Sequence, residues 1–145
     1  SVGACSFQTM RHLLLILCAI LCWARPSAAQ VGVDRVEGTW TEVKNLSRQT
    51  DRPIFIDFYA DWCVTCAQMD RSVFQDVIIQ DSLNTRFLFY KVNVDHFDGM
   101  DRVAEFGVTR LPTYIVTDGR GREMDRIEGA TTIRDMTEFL KDLLR

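Results

Sequence analysis

Two cysteines, Cys63 and Cys66, stand three residues apart where an apolar run gives way to a helical pattern. Residues i and i+3 share one face of a helix, so the two sulfurs can meet and close a small ring across its first turn. At that end the unpaired backbone N–H groups and the positive half of the helix dipole stabilise an anion. Lowering a cysteine from about 8.5 toward about 7 takes roughly 2 kcal/mol of thiolate stabilisation, which one helix terminus with a direct N–H contact can supply. Cys63 is therefore expected to be the attacking nucleophile, and Cys66, one turn deeper, the resolving thiol.

Three plainer readings compete. Zinc binding needs two further ligands, yet beyond residue 30 the chain offers no other cysteine and one histidine, His96, so no metal is expected. A structural disulfide closing so short a loop would remove little unfolded-state entropy. Two buried, inert cysteines are the third reading, since free Cys is often buried. The surrounding pattern of strand, sharp turn and helix favours redox exchange.

That pattern begins at Ile54-Phe55-Ile56-Asp57-Phe58-Tyr59, a β-branched and aromatic run that reads as a strand buried on both faces. Asp57 interrupts it. An ionised carboxylate is costly there, so its pKa is expected to be raised unless it faces solvent at the strand's edge. Downstream, Cys66, Met69, Val73 and Phe74 recur at helical spacing, and the helix closes near Asp76.

The remaining elements follow by the same reading. Val31 to Val36 suggests a short edge strand, and Trp40, Val43 and Leu46 mark the core face of a helix ending before Asp51-Arg52-Pro53. Val77 to Leu83 suggests a helical turn or two capped by Asp76. Phe87 to Val94 is a second strand, with Phe87, Phe89 and Lys91 on one face and Leu88, Tyr90, Val92 and Val94 on the other. Asp95 to Gly99 reads as a loop, and Met100 to Phe106 as a short helix stopped by Gly107. Thr113 to Thr117 and Glu123 to Glu128 are strands joined at Asp118-Gly119-Arg120-Gly121. A final helix opens near Thr132, with Asp135 completing a capping box and Ile133, Met136, Phe139, Leu140, Leu143 and Leu144 as its buried stripe. The order βαβαββα implies an α/β fold with a mixed central sheet and helices on both faces.

Ahead of this lies a different kind of segment. Met10-Arg11-His12 precedes an apolar run from Leu13 to Trp23, too short to span a bilayer comfortably, then Ser27-Ala28-Ala29, whose small residues suit signal peptidase. Residues 1–29 are expected to be an upstream extension and a secretory signal peptide cleaved near Ala29, the alternative being an uncleaved membrane anchor. Cys5, Cys18 and Cys22 all precede the cut; Cys22 as a lipid site lacks the expected small neighbour. An exported chain left with one close cysteine pair uses it for exchange rather than stapling.

Removal of Arg11 and Arg25 leaves 15 Lys and Arg against 20 Asp and Glu, a change in formal charge from −3 to −5. Nucleic acid and anionic membrane surfaces are poor partners for such a balance, because binding them rests on clustered cations. No basic run, repeat or low-complexity tract interrupts the 145 residues, which suit one domain with a real core.

Ile56-Asp57-Phe58-Tyr59-Ala60-Asp61-Trp62-Cys63, Lys91-Val92-Asn93-Val94-Asp95, Gly107, Leu111-Pro112-Thr113 and Gly129 stand in the order and at the spacing of the thioredoxin family. The resemblance covers Ile54 to Leu144, and residues 30–145 are expected to form one thioredoxin-like domain. Tyr-Ala-Asp-Trp-Cys-Val-x-Cys, together with the leader, looks closest to the periplasmic C-terminal domains of DsbD-type interchange reductases and to small exported thioredoxins. Val64-Thr65 replaces the Gly-Pro of cytosolic thioredoxins.

The resemblance implies a thioredoxin fold and a redox-active Cys63–Cys66 disulfide. Asp57 would serve proton transfer to and from Cys66, with Lys91 near it, and Asp70 aligns with an acid of the DsbD-like domains. Pro112 corresponds to the family's cis-proline, Leu111 would offer its backbone to a bound substrate, and Trp62 would flank the nucleophile. The implied partners are protein disulfides or dithiols and a membrane-bound electron donor, with no cofactor, no nucleic acid and a monomeric chain. Function is expected to be an exported thiol:disulfide oxidoreductase acting as a reductase in the periplasm; the alternatives are a disulfide oxidase or isomerase and a non-catalytic binding module.

Overall fold

The computed structural model describes residues 32–143. The leader, its three cysteines and Leu144 lie outside that range.

The chain forms helix α1 (Trp40–Thr50), strand β1 (Ile54–Tyr59), helix α2 (Val64–Ser72) running into a 3₁₀ turn (Val73–Gln75), helix α3 (Val77–Arg86) and strand β2 (Leu88–Asn93). Helix α4 (Phe97–Phe106), the hairpin β3 (Thr113–Thr117) and β4 (Glu123–Glu128), and helix α5 (Ile133–Asp142) complete it. One four-stranded sheet has the order β2-β1-β3-β4. β1 runs parallel to β2 and antiparallel to β3, and β3 pairs antiparallel with β4.

β1 lies at the centre because its side chains are apolar in both directions. Ile54, Ile56 and Phe58 point to one face, where Trp40 and Val43 of α1 and Phe106 of α4 cover them. Phe55 points to the other, into a cluster with Met69, Phe74, Ile79, Leu83, Tyr114, Met136 and Leu140 from α2, the 3₁₀ turn, α3, β3 and α5. The mixed sheet with helices on both faces is as expected. The two faces of β2 also alternate as read, Phe87 and Phe89 joining the second cluster and Leu88 and Val92 the first.

Five local expectations are corrected, one of them the capping box of α5, where the Asp135 carboxylate accepts from the Thr132 hydroxyl. Val31 to Val36 does not form a strand: within residues 32–36 a single bridge joins Arg35 to Phe89, and the Val36 N–H donates to the Phe89 carbonyl at 2.8 Å. The side chain of Asn84 takes up the neighbouring backbone groups, accepting from the Asp34 N–H and donating to the Gly32 carbonyl, so no ladder propagates. Helix α3 runs on to Arg86, past Leu83, where Arg52 donates to the carbonyls of Asn84 and Phe87.

Helix α4 begins at Phe97 rather than Met100. Asp98-Gly99 resembles a turn, but Gly99 is helical and buried, and a Cβ there would meet the Asn93 carbonyl oxygen at 1.9 Å. The glycine serves close approach of helix to strand, not a bend. Ile133, placed in the buried stripe of α5, is 43% exposed at the helix's first position, while Met136 and Leu140 are buried.

Candidate active site

Helix α2 starts where β1 has delivered the chain to the end of the sheet. The Cys63 N–H donates to Ala60 at 3.0 Å, turning the backbone sharply, and Cys63 becomes the N-cap of α2. Its sulfur accepts the Cys66 N–H at 3.1 Å. A thiolate on Cys63 would therefore meet an N–H already aimed at it, in the positive end of the helix dipole. The two sulfurs are bonded, with Cα atoms 5.2 Å apart.

The pair differs in access. Cys63 lines an open groove of about 410 Å³ together with Trp62, Val94, Val103, Val108 and Leu111; Cys66 does not. Both cysteines are nevertheless buried, Cys63 7% and Cys66 4% exposed, and both pack with Ala60.

Leu111 packs against the cysteines and its bond to Pro112 is cis. Pro112 is buried, and its carbonyl accepts the Gly129 N–H at 2.7 Å. Trp62 is 68% exposed on the groove's rim, and its indole N–H donates to Asp95 Oδ2 at 2.8 Å. Asp95 is itself set by a turn in which its N–H donates to Asn93 Oδ1. His96 caps the start of α4 with its backbone and stands outside the site.

A charged cluster lies inside the core face that holds Phe55. Asp57 is buried and sits opposite Lys91 in the β1–β2 register, with Lys91 Nζ 2.9 Å from Asp57 Oδ2. The same Nζ donates to both oxygens of Asp70, at 2.8 and 2.9 Å, and lies 4.7 Å from the centre of the Tyr59 ring. One cation therefore serves two carboxylates. Burial pushes the Asp57 carboxyl up to about 6, against the pull of Lys91. Burial also opposes the Lys91 charge, but Asp57 and Asp70 outweigh it and its pKa rises. Asp57 and Lys91 are thus not solvent-facing strand residues, and Asp70 is not merely a solvated helix position.

Asp95, Tyr59 and the groove residues Val103, Val108 and Arg110 were not singled out from the sequence. Asp95 and Tyr59 stood inside motifs already quoted, so partners for Trp62 and Lys91 could have been sought there. The others are brought together by chain separations of 30 residues or more, which no local spacing encodes. Among the described residues no group of His, Cys, Asp and Glu is arranged to hold a metal ion, and no helix is long and apolar enough to cross a membrane.

A family model described as a thioredoxin-like domain matches residues 41–144. The thiol:disulfide interchange protein DsbD of Yersinia pestis is 30% identical over 90% of this chain. The chain spans about a quarter of the length of that relative, 24%. Among solved structures, a thioredoxin from Thermus thermophilus superposes with a TM-score of 0.66 at 23% identity, over 73% of this chain and 84% of its own. The oxidised C-terminal domain of Neisseria meningitidis DsbD gives 0.59 at 20% identity, over 70% of this chain and 89% of its own. The architecture is the thioredoxin fold.

Proposed function

Because the chain belongs to the thioredoxin-like family of disulfide oxidoreductases, we propose that it is an exported reductase of protein disulfides, working through Cys63 and Cys66. The observation that carries this reading is the pair at the start of α2: Cys63 alone of the two lines the groove, its sulfur accepts the Cys66 N–H, and β1, the strand leading to them, carries the buried carboxyl Asp57.

In the reduced protein the Cys63 thiolate attacks one sulfur of a client disulfide. A Cys63–client bond forms and the other client sulfur leaves as a thiolate. Cys66 then gives its proton to the Asp57 carboxylate and attacks the Cys63 sulfur, forming the Cys63–Cys66 bond and releasing the second client thiolate. Two electrons pass from the protein to the client, whose thiolates take up protons. A membrane-held dithiol donor returns the pair to the reduced state by the reverse exchange. Lys91 and Asp70 fix the position and charge of Asp57, while Trp62, Leu111 and Pro112 shape the surface that meets the client. The similarity to DsbD supports the reductase direction and the membrane donor.

Export rests on residues 10–29, read as a leader cleaved after Ala29. N-terminal sequencing of the secreted protein is expected to begin at Gln30; retention of Met10 in a membrane fraction would mean an anchor instead.

Cys66→Ser tests the chemistry. It should accumulate clients as mixed disulfides on Cys63, released by dithiothreitol, whereas a binding module would trap none and would keep its activity in Cys63→Ser. Equilibration with glutathione tests direction: a potential near about −270 mV fits a reductase, and one near about −120 mV would mean an oxidase.

A further inference from the structure

Helix α4 carries more apolar surface than the core uses. Phe106 and Gly99 are buried and Val103 half-buried against the sheet, but the apolar arc continues round the helix through Met100, Ala104 and Phe97, all exposed. Phe97 is 82% and Met100 59% exposed. The opposite arc carries Asp98, Asp101, Arg102 and Glu105, so the helix is divided into an apolar and a charged side.

The apolar side leads to the cysteines. Val103 lines the groove that contains Cys63, Met100 stands one turn before it, and Asp95, two residues ahead of Phe97, holds the indole of Trp62. Trp62 and Val64, 68% and 78% exposed, line the same groove. The groove is lined by one cation, Arg110, and no carboxylate, in a chain whose formal charge is −3. Arg110 is 65% exposed, and its neighbour Glu128 is 3.7 Å away.

We propose that the outer face of α4 extends the client surface of Cys63, and that it takes a protein segment with a large apolar residue beside the reacting cysteine and a carboxylate within reach of Arg110. The inference rests on the exchange chemistry proposed above. Continuity with the nucleophile's groove argues for a client rather than a second copy of the chain or a lipid surface, and Arg110, whose exposed ion pair with Glu128 is a weak one, is the groove cation that a client carboxylate can compete for. Contiguous exposed apolar surface of this kind marks an interaction site.

The test uses the reduced protein and two pairs of disulfide-bridged peptides, one pair differing only beside the cysteine, Leu or Ser, and the other only at a distal position, Glu or Lys, with oxidised glutathione as the small probe. Leu is expected to exceed Ser in kcat/KM by about tenfold, mostly through KM, as burial of one apolar side chain implies. Phe97→Ser with Met100→Ser should lower the ratio of the Leu-peptide rate to the glutathione rate by about tenfold, and both positions are exposed enough to spare the fold. Arg110→Glu should reverse a preference for a peptide with Glu over one with Lys at the distal position.

Equal rates on the Leu and Ser peptides would overturn the inference, as would an unchanged peptide-to-glutathione ratio in the double variant. So would loss, in that variant, of a dimer seen by light scattering, or of binding to phosphatidylglycerol vesicles, because the face would then have another occupant. A parent protein that does not exchange with glutathione at all would instead overturn the redox reading beneath it.

Discussion

Asp57 concentrates the energetic conflict of this site in one side chain. Its folded pKa of about 6 lies above the unfolded value near 3.9, so the folded chain binds its proton more tightly. Its contribution to stability is therefore complete below about pH 4 and lost as pH rises through about 6, a gap worth about 3 kcal/mol. Asp57→Asn is expected to be more stable than the parent by about 1–3 kcal/mol near pH 8, the lost ion pair with Lys91 offsetting part of the gain. Near pH 4 the gain should vanish, as urea unfolding at the two pH values would show; a gain independent of pH would contradict the assignment. The same variant should resolve the mixed disulfide about 100-fold more slowly, the scale of lost general-base assistance. The sequence announced the conflict, one acid in an apolar strand; that Lys91 stands near it came from the family resemblance and not from local pattern. Lys91 is 34 residues away and Asp70 lies on another element; only the β1–β2 register and the packing of α2 bring them within 3 Å of one another.

Among the elements, those with end signals in the sequence were the most legible. Asp76 caps α3 by accepting from the N–H groups of Ile78 and Ile79, as its place before an apolar run suggested. Asp76→Ala should cost about 1 kcal/mol in thermal or chemical unfolding. At α5 the expected capping box is altered: the Thr132 hydroxyl accepts from the Asp135 N–H, but the Asp135 carboxylate accepts from the Thr132 hydroxyl. Helix α4 was the least legible element, because Gly99 signals a bend in sequence and serves contact in space. Gly99→Ala is expected to destabilise by about 2–3 kcal/mol, since the added methyl meets backbone that cannot rotate away. Tolerance at that position, read as an unchanged unfolding midpoint, would mean that α4 can lift from Asn93. The variant should also weaken peptide exchange, because Val103 reaches the groove through α4.

At the scale of the whole molecule, β1 joins two cores and ends at the cysteines. Phe55 alone has the rings of Phe74, Phe87, Phe89, Tyr114 and Phe139 within 6.5 Å. Phe55→Ala should cost about 3–5 kcal/mol in guanidinium unfolding, and a loss below about 1 kcal/mol would mean that the cluster refills the space. The amino-acid order by itself determined the fold class, the central strand, both faces of β2 and the spacing that lets Cys63 and Cys66 join, because all of these follow from local periodicity and from end signals a few residues long. Tertiary structure alone decided that one cation, Lys91, serves both Asp57 and Asp70, which carboxylate holds Trp62 and where the apolar side of α4 comes to rest. Those outcomes depend on contacts between residues far apart in the chain, whose partners are chosen by strand register and helix packing rather than by anything written beside them.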